Sequence, residues 1–192
     1  MKLVQAATLP YSQGYWDNYY DRPYEESYLW GFRLKEVLDL APLAANPPQS
    51  FLDVGCGPGH VLKEMIALLP ENAYVYGIEC QDIPRERQVA DVNIIRGDFV
   101  ALYKELPPVD LVYANCSMYV PWEEQADYLK GCAHVAKKWL VFGNVYLSDR
   151  RAIPEDRLRR IIYKDRESFS KLVEQLGFKP LEYDGAEVFV RV

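Results

Sequence analysis

Histidine and cysteine, the side chains that most often carry metal or redox chemistry, are scarce: the 192-residue chain has two of the first and four of the second. Cys56, Cys80, Cys116 and Cys132 form no CxxC pair, and their spacing predicts no metal site and thiols that stay reduced. No apolar run reaches the roughly 18 residues that a membrane-spanning helix needs, so no membrane partner is expected. Residues 1–10 hold one lysine and lack the apolar stretch of a secretory signal. They are expected to be a loose terminus, and the chain to be cytoplasmic. An excess of basic residues is missing too: 22 Lys and Arg face 28 Asp and Glu, a formal net charge of -6. That balance opposes broad binding of nucleic acid, whose affinity comes from neutralising many phosphates. Internal repeats and low-complexity tracts are absent as well.

What is present suits one globular domain: 49% of residues are hydrophobic and 26% charged, enough apolar surface to form a core. Short, nearly uncharged β-rich runs at residues 50–54, 73–78, 92–95, 110–114 and 138–145 alternate with helical stretches. This is the pattern of a parallel sheet buried on both faces. Helices are expected at 59–69, stopped by Pro70, and at 121–137, opened by Pro121. The crossovers at 81–91, which contains Pro84, and at 101–106 are expected to be brief turns. A last helix over 167–176, closed by Gly177, precedes β-rich runs at 178–183 and 186–192. Asp184-Gly185 joins them as a hairpin turn, since both positions need positive φ. The fold class is therefore α/β: a seven-stranded, mostly parallel, doubly wound sheet with a C-terminal antiparallel hairpin and helices on both faces. Residues 1–49 are expected to form an aromatic-rich helical cover within the same domain as 50–192. Asp21 can cap its helix, and Tyr28, Leu29, Phe32 and Val37 share helical spacing up to Asn46-Pro47-Pro48.

Residues 51–60 read FLDVGCGPGH. Glycines on alternate positions straight after an apolar run suggest a backbone that approaches a ligand too closely for side chains. A dinucleotide fingerprint, GxGxxG, would place its third glycine at position 60, where His60 stands, and no lysine follows as a phosphate loop requires. Asp53, Glu79 and Asp98 fall at the carboxyl ends of three successive expected strands, where open α/β sheets gather ligands. No lysine or arginine is expected beside them. Three carboxylates repel a diphosphate and tolerate a cationic nucleoside, whose hydroxyls and amino groups need acceptors.

On this architecture, Asp53-Val54-Gly55-Cys56-Gly57-Pro58-Gly59 resembles the first motif of the class I S-adenosylmethionine-dependent methyltransferases, and Glu79 and Asp98 sit where that family places its ribose and adenine acceptors. The resemblance covers residues 50–192. It implies S-adenosyl-L-methionine as cofactor, with Gly55, Cys56 and Gly57 along the methionyl part and Glu79 on the ribose. Asp98 would take the adenine amino group and Phe99 would offer its backbone amide. Ile78 and Cys80 would border the ring, and Asp53, Gly59 and Asn115 complete the implied cofactor set. Plainer readings stand beside these. The glycines suit a tight turn, Glu79 and Asp98 suit caps, and Cys56 and Cys132 suit small packing sites. His134 reads as structural and His60 as a local contact.

Methyl transfer from a sulfonium is an in-line displacement that needs the acceptor held collinear with the breaking bond, and a base is optional. No catalytic residue is identified. Residues 11–28, YSQGYWDNYYDRPYEESY, hold six of the fifteen tyrosines, and Tyr15, Trp16, Tyr19 and Tyr20 are candidate acceptor contacts. Packing on the sheet is the alternative. After the fourth strand, NCSMYVPW offers Asn115, Ser117 and Tyr119. It departs from the Asn/Asp-Pro-Pro-aromatic pattern of relatives that methylate amino groups of bases or amides. Arg151 lies in an arginine-bearing stretch, residues 149–167, which holds seven basic and five acidic residues and could bind an acidic acceptor or simply be a solvated face. The expected function is methyl transfer to a small-molecule acceptor by a monomer or homodimer. The alternatives are a protein or RNA acceptor, or a non-catalytic S-adenosylmethionine-binding subunit. The displaced third glycine and the small size weigh against an NAD-dependent oxidoreductase.

Overall fold

A computed structural model of the chain describes residues 33–115, 125–143, 166–183 and 186–192. Seven strands form one sheet: β1 (Ser50–Val54), β2 (Tyr74–Glu79), β3 (Ile94–Arg96), β4 (Val109–Asn115), β5 (Ala136–Gly143), β6 (Phe178–Leu181) and β7 (Glu187–Arg191). Their order is β3-β2-β1-β4-β5-β7-β6. The first five run parallel, and β7 lies antiparallel between β5 and β6. The expected sheet, with its C-terminal antiparallel pair, is thus the one observed. The Asp184-Gly185 turn itself lies outside the described residues.

The sheet is covered on both faces because consecutive strand residues point to opposite sides. Leu52, Ile78, Val112, Phe142 and Phe189 join one buried cluster, with side chains from α4 (Phe99–Leu102), α5 (Gln125–Val135) and α6 (Arg166–Glu174). Phe51, Val75, Leu111, Val141 and Val188 join the other, with α1 (Arg33–Leu38), α2 (Ala41–Ala45) and α3 (His60–Leu68). Strands buried from both sides must be apolar throughout, which is why β1, β2 and β4 read as continuous runs. On the first face, Phe142, Phe169 and Phe189 meet edge to face, with ring centroids 5.2 to 6.2 Å apart.

Three boundaries differ from the sequence reading. The helix expected over 121–137 ends at Val135 and passes directly into β5. The register slips there, with Val109 opposite Ala136 and Leu111 opposite Trp139, so Lys137 and Lys138 together face Asp110. Lys138 Nζ lies 3.6 Å from Asp110 Oδ1. The N-terminal cover is broken between α1 and α2, because Leu40 is extended (φ -61°, ψ 134°) ahead of Pro42. Strand β3 runs over Ile94–Arg96 rather than 92–95, which puts Arg96 at its carboxyl end. The crossover after β2 is a single 3-10 turn, Arg85–Arg87, as the proline and charges implied.

The aromatic trio fastens α6 to the carboxyl-terminal strands. Phe169→Ala is expected to destabilise the fold by about 3–5 kcal/mol through a cavity that cannot fully collapse. Urea or guanidinium unfolding checks this, and a loss below about 1 kcal/mol would show that α6 is only loosely packed.

Candidate functional site

The strand order reverses between β1 and β4, and the crevice at their carboxyl ends is where such sheets hold ligands. Residues 55–59 turn across it. Gly55, Gly57 and Gly59 all have positive φ, 76°, 54° and 96°, a left-handed path that side chains resist. Gly55 and Cys56 both donate their amides to the Ile78 carbonyl, at 2.8 and 3.2 Å, and the Gly59 amide reaches Cys56 O at 3.1 Å. Glycine is needed in the neighbouring strand too. A Cβ at Gly77 would lie 2.5 Å from Cys56 Sγ, so the bare backbone there leaves room for the buried Cys56 side chain. Cys56 therefore packs inward, and burial raises its thiol well above the usual range. Cys132 is likewise buried and its thiol raised by burial, whereas Cys80 is exposed.

The three carboxylates expected here occupy distinct settings. Asp53 is 3% exposed in the middle of the sheet, between Gly77 of β2 and Tyr113 of β4. Glu79, 6% exposed at the end of β2, accepts from the Gly57 amide at 2.9 Å with one oxygen and from the Gln81 amide at 2.8 Å with the other. Asp98 caps α4, accepting the Val100 amide at 2.8 Å. The capping roles that offered the plainer account of Glu79 and Asp98 are thus present. They do not exhaust the two groups, since an ionised carboxylate has about four acceptor positions.

The expectation that no basic residue stands at these strand ends is corrected at β3. Arg96 occupies its carboxyl end, but it pairs outward with Asp82, and both are substantially exposed. Among the described residues no cation pairs with Asp53 or Glu79. Phe99 turns its ring into the core against Tyr128, at 5.4 Å, and Ile78 is buried in the same cluster. Asn115 ends β4 opposite Gly143, where a Cβ would come within 2.5 Å of its side-chain oxygen. Tyr15, Trp16, Tyr19, Tyr20, Cys116, Ser117, Tyr119 and Arg151 lie outside the described residues. Gln81 was missed by the sequence reading. It is a buried polar side chain two residues beyond Glu79, and its position beside a strand-end acid was the available signal. Among the described residues no cluster of potential ligands could hold a metal ion, and no helix is long and apolar enough to cross a membrane.

Burial first, then the nearby Glu79, pushes the Asp53 carboxyl up to about 8. Burial raises Glu79 as well, opposed by the amides it accepts. The unfolded Asp53 titrates near its ordinary 3.8, so between about pH 4 and pH 8 the folded chain holds an extra proton. Its contribution to stability is greatest below the unfolded pKa and is lost as pH rises through the folded one. The glycine cradle and two buried acids, neither paired with a cation among the described residues, fit a cationic nucleoside, whose charge would offset their burial. Asp53→Asn should therefore raise the melting temperature of the free protein, by more at pH 8 than at pH 5. Equal shifts at both values would contradict an uncompensated acid at this position.

A family model described as a methyltransferase domain matches residues 51–138. No curated protein matches the sequence significantly. Solved structures do share the fold. An S-adenosylmethionine-dependent methyltransferase from Aquifex aeolicus superposes with a TM-score of 0.65 at 16% identity, over 94% of this chain and 98% of that one. Magnesium protoporphyrin IX methyltransferase from Synechocystis PCC 6803, with bound S-adenosylhomocysteine, gives 0.60 at 17% identity, over 94% and 95%. Human N-acetylserotonin methyltransferase, in complex with S-adenosylmethionine, gives 0.57 at 15% identity, over 93% and 65%. The glycine loop and all three carboxylates lie within the matched region, and the chain has the fold of these S-adenosylmethionine-dependent methyltransferases.

Proposed function

We propose that the chain transfers a methyl group from S-adenosylmethionine to a small-molecule acceptor. One observation carries the cofactor half of this reading: Asp53 and Glu79 are buried beside the glycine loop with no cation paired to either among the described residues. Bound S-adenosylmethionine supplies an electrophilic methyl group on a sulfonium with a good leaving group. The chain's own residues then bind, orient and exclude water. The Gly55–Cys56–Gly57 backbone runs along the methionyl part, and Gly59 lets the chain turn into α3. Glu79 accepts ribose hydroxyls, Asp98 accepts the adenine amino group, and the Phe99 amide and the Cys80 region border the ring. Asp53 places a buried acid below the loop, and Asn115 stands at the end of β4 facing the acceptor.

Several lines support the small-molecule half. The acidic balance of the sequence disfavours RNA. Two of the structural neighbours are named for magnesium protoporphyrin IX and N-acetylserotonin. In this reading Tyr15, Trp16, Tyr19 and Tyr20, with Ser117 and Tyr119, enclose the acceptor, and Arg151 meets an acidic group on it. Enclosure matters because positive charge disperses as the methyl moves, which favours an aromatic, poorly hydrated surrounding over a charged one. The protein acts in the cytoplasm as a monomer or homodimer.

Calorimetry should show one S-adenosylhomocysteine bound per chain in the micromolar range, with Glu79→Ala weakening it by about 1–3 kcal/mol through a lost contact to the ribose. No heat and no thermal shift with either S-adenosylmethionine or its demethylated product would contradict the reading.

A further inference from the structure

We infer that Gln81 recognises the nucleoside half of the cofactor, its side-chain amide oxygen accepting a hydrogen bond from a ribose hydroxyl. This rests on the cofactor reading proposed above. Gln81 follows β2 and is 5% exposed. Its amide donates to Glu79 Oε1 at 2.8 Å, and its carbonyl accepts from Ile83 at 3.2 Å. The backbone is thereby fixed against the Glu79 carboxylate.

The side chain is held far less well. Its Nε2 donates to Cys80 Sγ at 3.7 Å, and sulfur is a weak acceptor. Its Oε1 is buried with no hydrogen-bond partner. A buried amide oxygen without a donor loses its water and receives nothing in return, so native structures rarely keep one without a reason. The other such atom among the described side chains, Trp139 Nε1, belongs to a residue within β5, in an open groove with Lys137 and Arg191. Arg191 there is already committed to the Ala133 and Ala136 carbonyls and to the Phe178 ring, and Lys138 to Asp110.

At Gln81 the neighbourhood names the missing partner. A carboxylate and a buried amide oxygen belong here to two residues joined by one hydrogen bond, from the Gln81 backbone amide to Glu79. The group that satisfies both is a vicinal diol, with two O–H donors on adjacent carbons. The adenine amino group falls to Asp98, which lies beyond Gly97 on the neighbouring strand's loop. The weak sulfur contact leaves the Gln81 amide able to rotate toward the incoming hydroxyl.

The experiment compares wild type, Gln81→Leu and Gln81→Met by calorimetry with S-adenosylhomocysteine and with its 2′-deoxy and 3′-deoxy analogues, alongside melting of the ligand-free proteins. The expected result is S-adenosylhomocysteine binding weakened about 5- to 30-fold in both variants. That loss should largely disappear with one of the deoxy analogues, and the ligand-free melting temperature should be unchanged or raised because the orphaned oxygen is gone. An equal loss with all three ligands, joined to a lowered melting temperature, would assign Gln81 to packing and overturn the inference. A loss that persists with both deoxy analogues and vanishes with the 6-deamino purine analogue would overturn the ribose assignment. Wild type that binds while both variants bind equally well overturns this inference alone, whereas wild type that binds no S-adenosylhomocysteine removes the cofactor reading beneath it.

Discussion

A buried carboxylate holds the glycine loop to the sheet. Glu79 accepts the Gly57 amide with one oxygen and the Gln81 amide with the other, so a single side chain fixes the loop after β1 and the loop after β2 relative to each other. The Ile78 carbonyl adds to this by accepting two amides from the same glycine loop. A left-handed path at three nearby residues costs conformational entropy in the unfolded chain's favour, and these bonds are what offset it. The crevice is in this sense built before any ligand arrives, which reduces the ordering that binding would otherwise require.

The same arrangement concentrates negative groups where water is excluded. Burial raises the proton affinity of both Asp53 and Glu79, and the nearby Glu79 raises that of Asp53 further. In a protein interior an acid with no paired cation is a destabilising feature, and two such acids among the described residues, beside an orphaned amide oxygen, form a local inconsistency of the kind that marks functional sites. The remainder of the fold is consistent with itself: apolar strands between two covered faces. Stability comes from the clusters on the two faces, while the crevice draws on that reserve to keep polar groups ready for a ligand.

Much of this was legible in the sequence because the signals were physical. Continuous apolar runs gave the parallel strands. Pro70 gave the end of α3, Pro84 the short crossover, and Gly177 the stop after α6. The end of α5 was not legible, since Ala136 and Lys137 are good helix formers and only pairing with β4 pulls them into a strand. The break at Leu40 was signalled by Pro42 but outweighed by the apolar spacing around it. At the site, Asp53, Glu79 and Asp98 were found from their places at strand ends. Gln81 was not, because loops carry no periodicity and its place beside a strand-end acid was the only signal, one that says nothing of its burial. Gly77, within VYGIE, carried a usable sign, since glycine inside a strand marks close approach of another backbone or side chain. Arg96 was misplaced for a simple reason: moving β3 by one residue changes which side chain stands at its end.

The central claim is that the Glu79 carboxylate, already fixed by two backbone amides, is the ribose acceptor of a bound sulfonium nucleoside. A crystal structure with S-adenosylhomocysteine tests it most directly. The account predicts ribose hydroxyls within hydrogen-bonding distance, about 2.5–3.0 Å, of Glu79, with the Gly57 contact retained and the sulfur beside the 55–57 backbone. A nucleoside bound with its ribose away from β2, or a glycine loop that abandons Glu79 on binding, would contradict it.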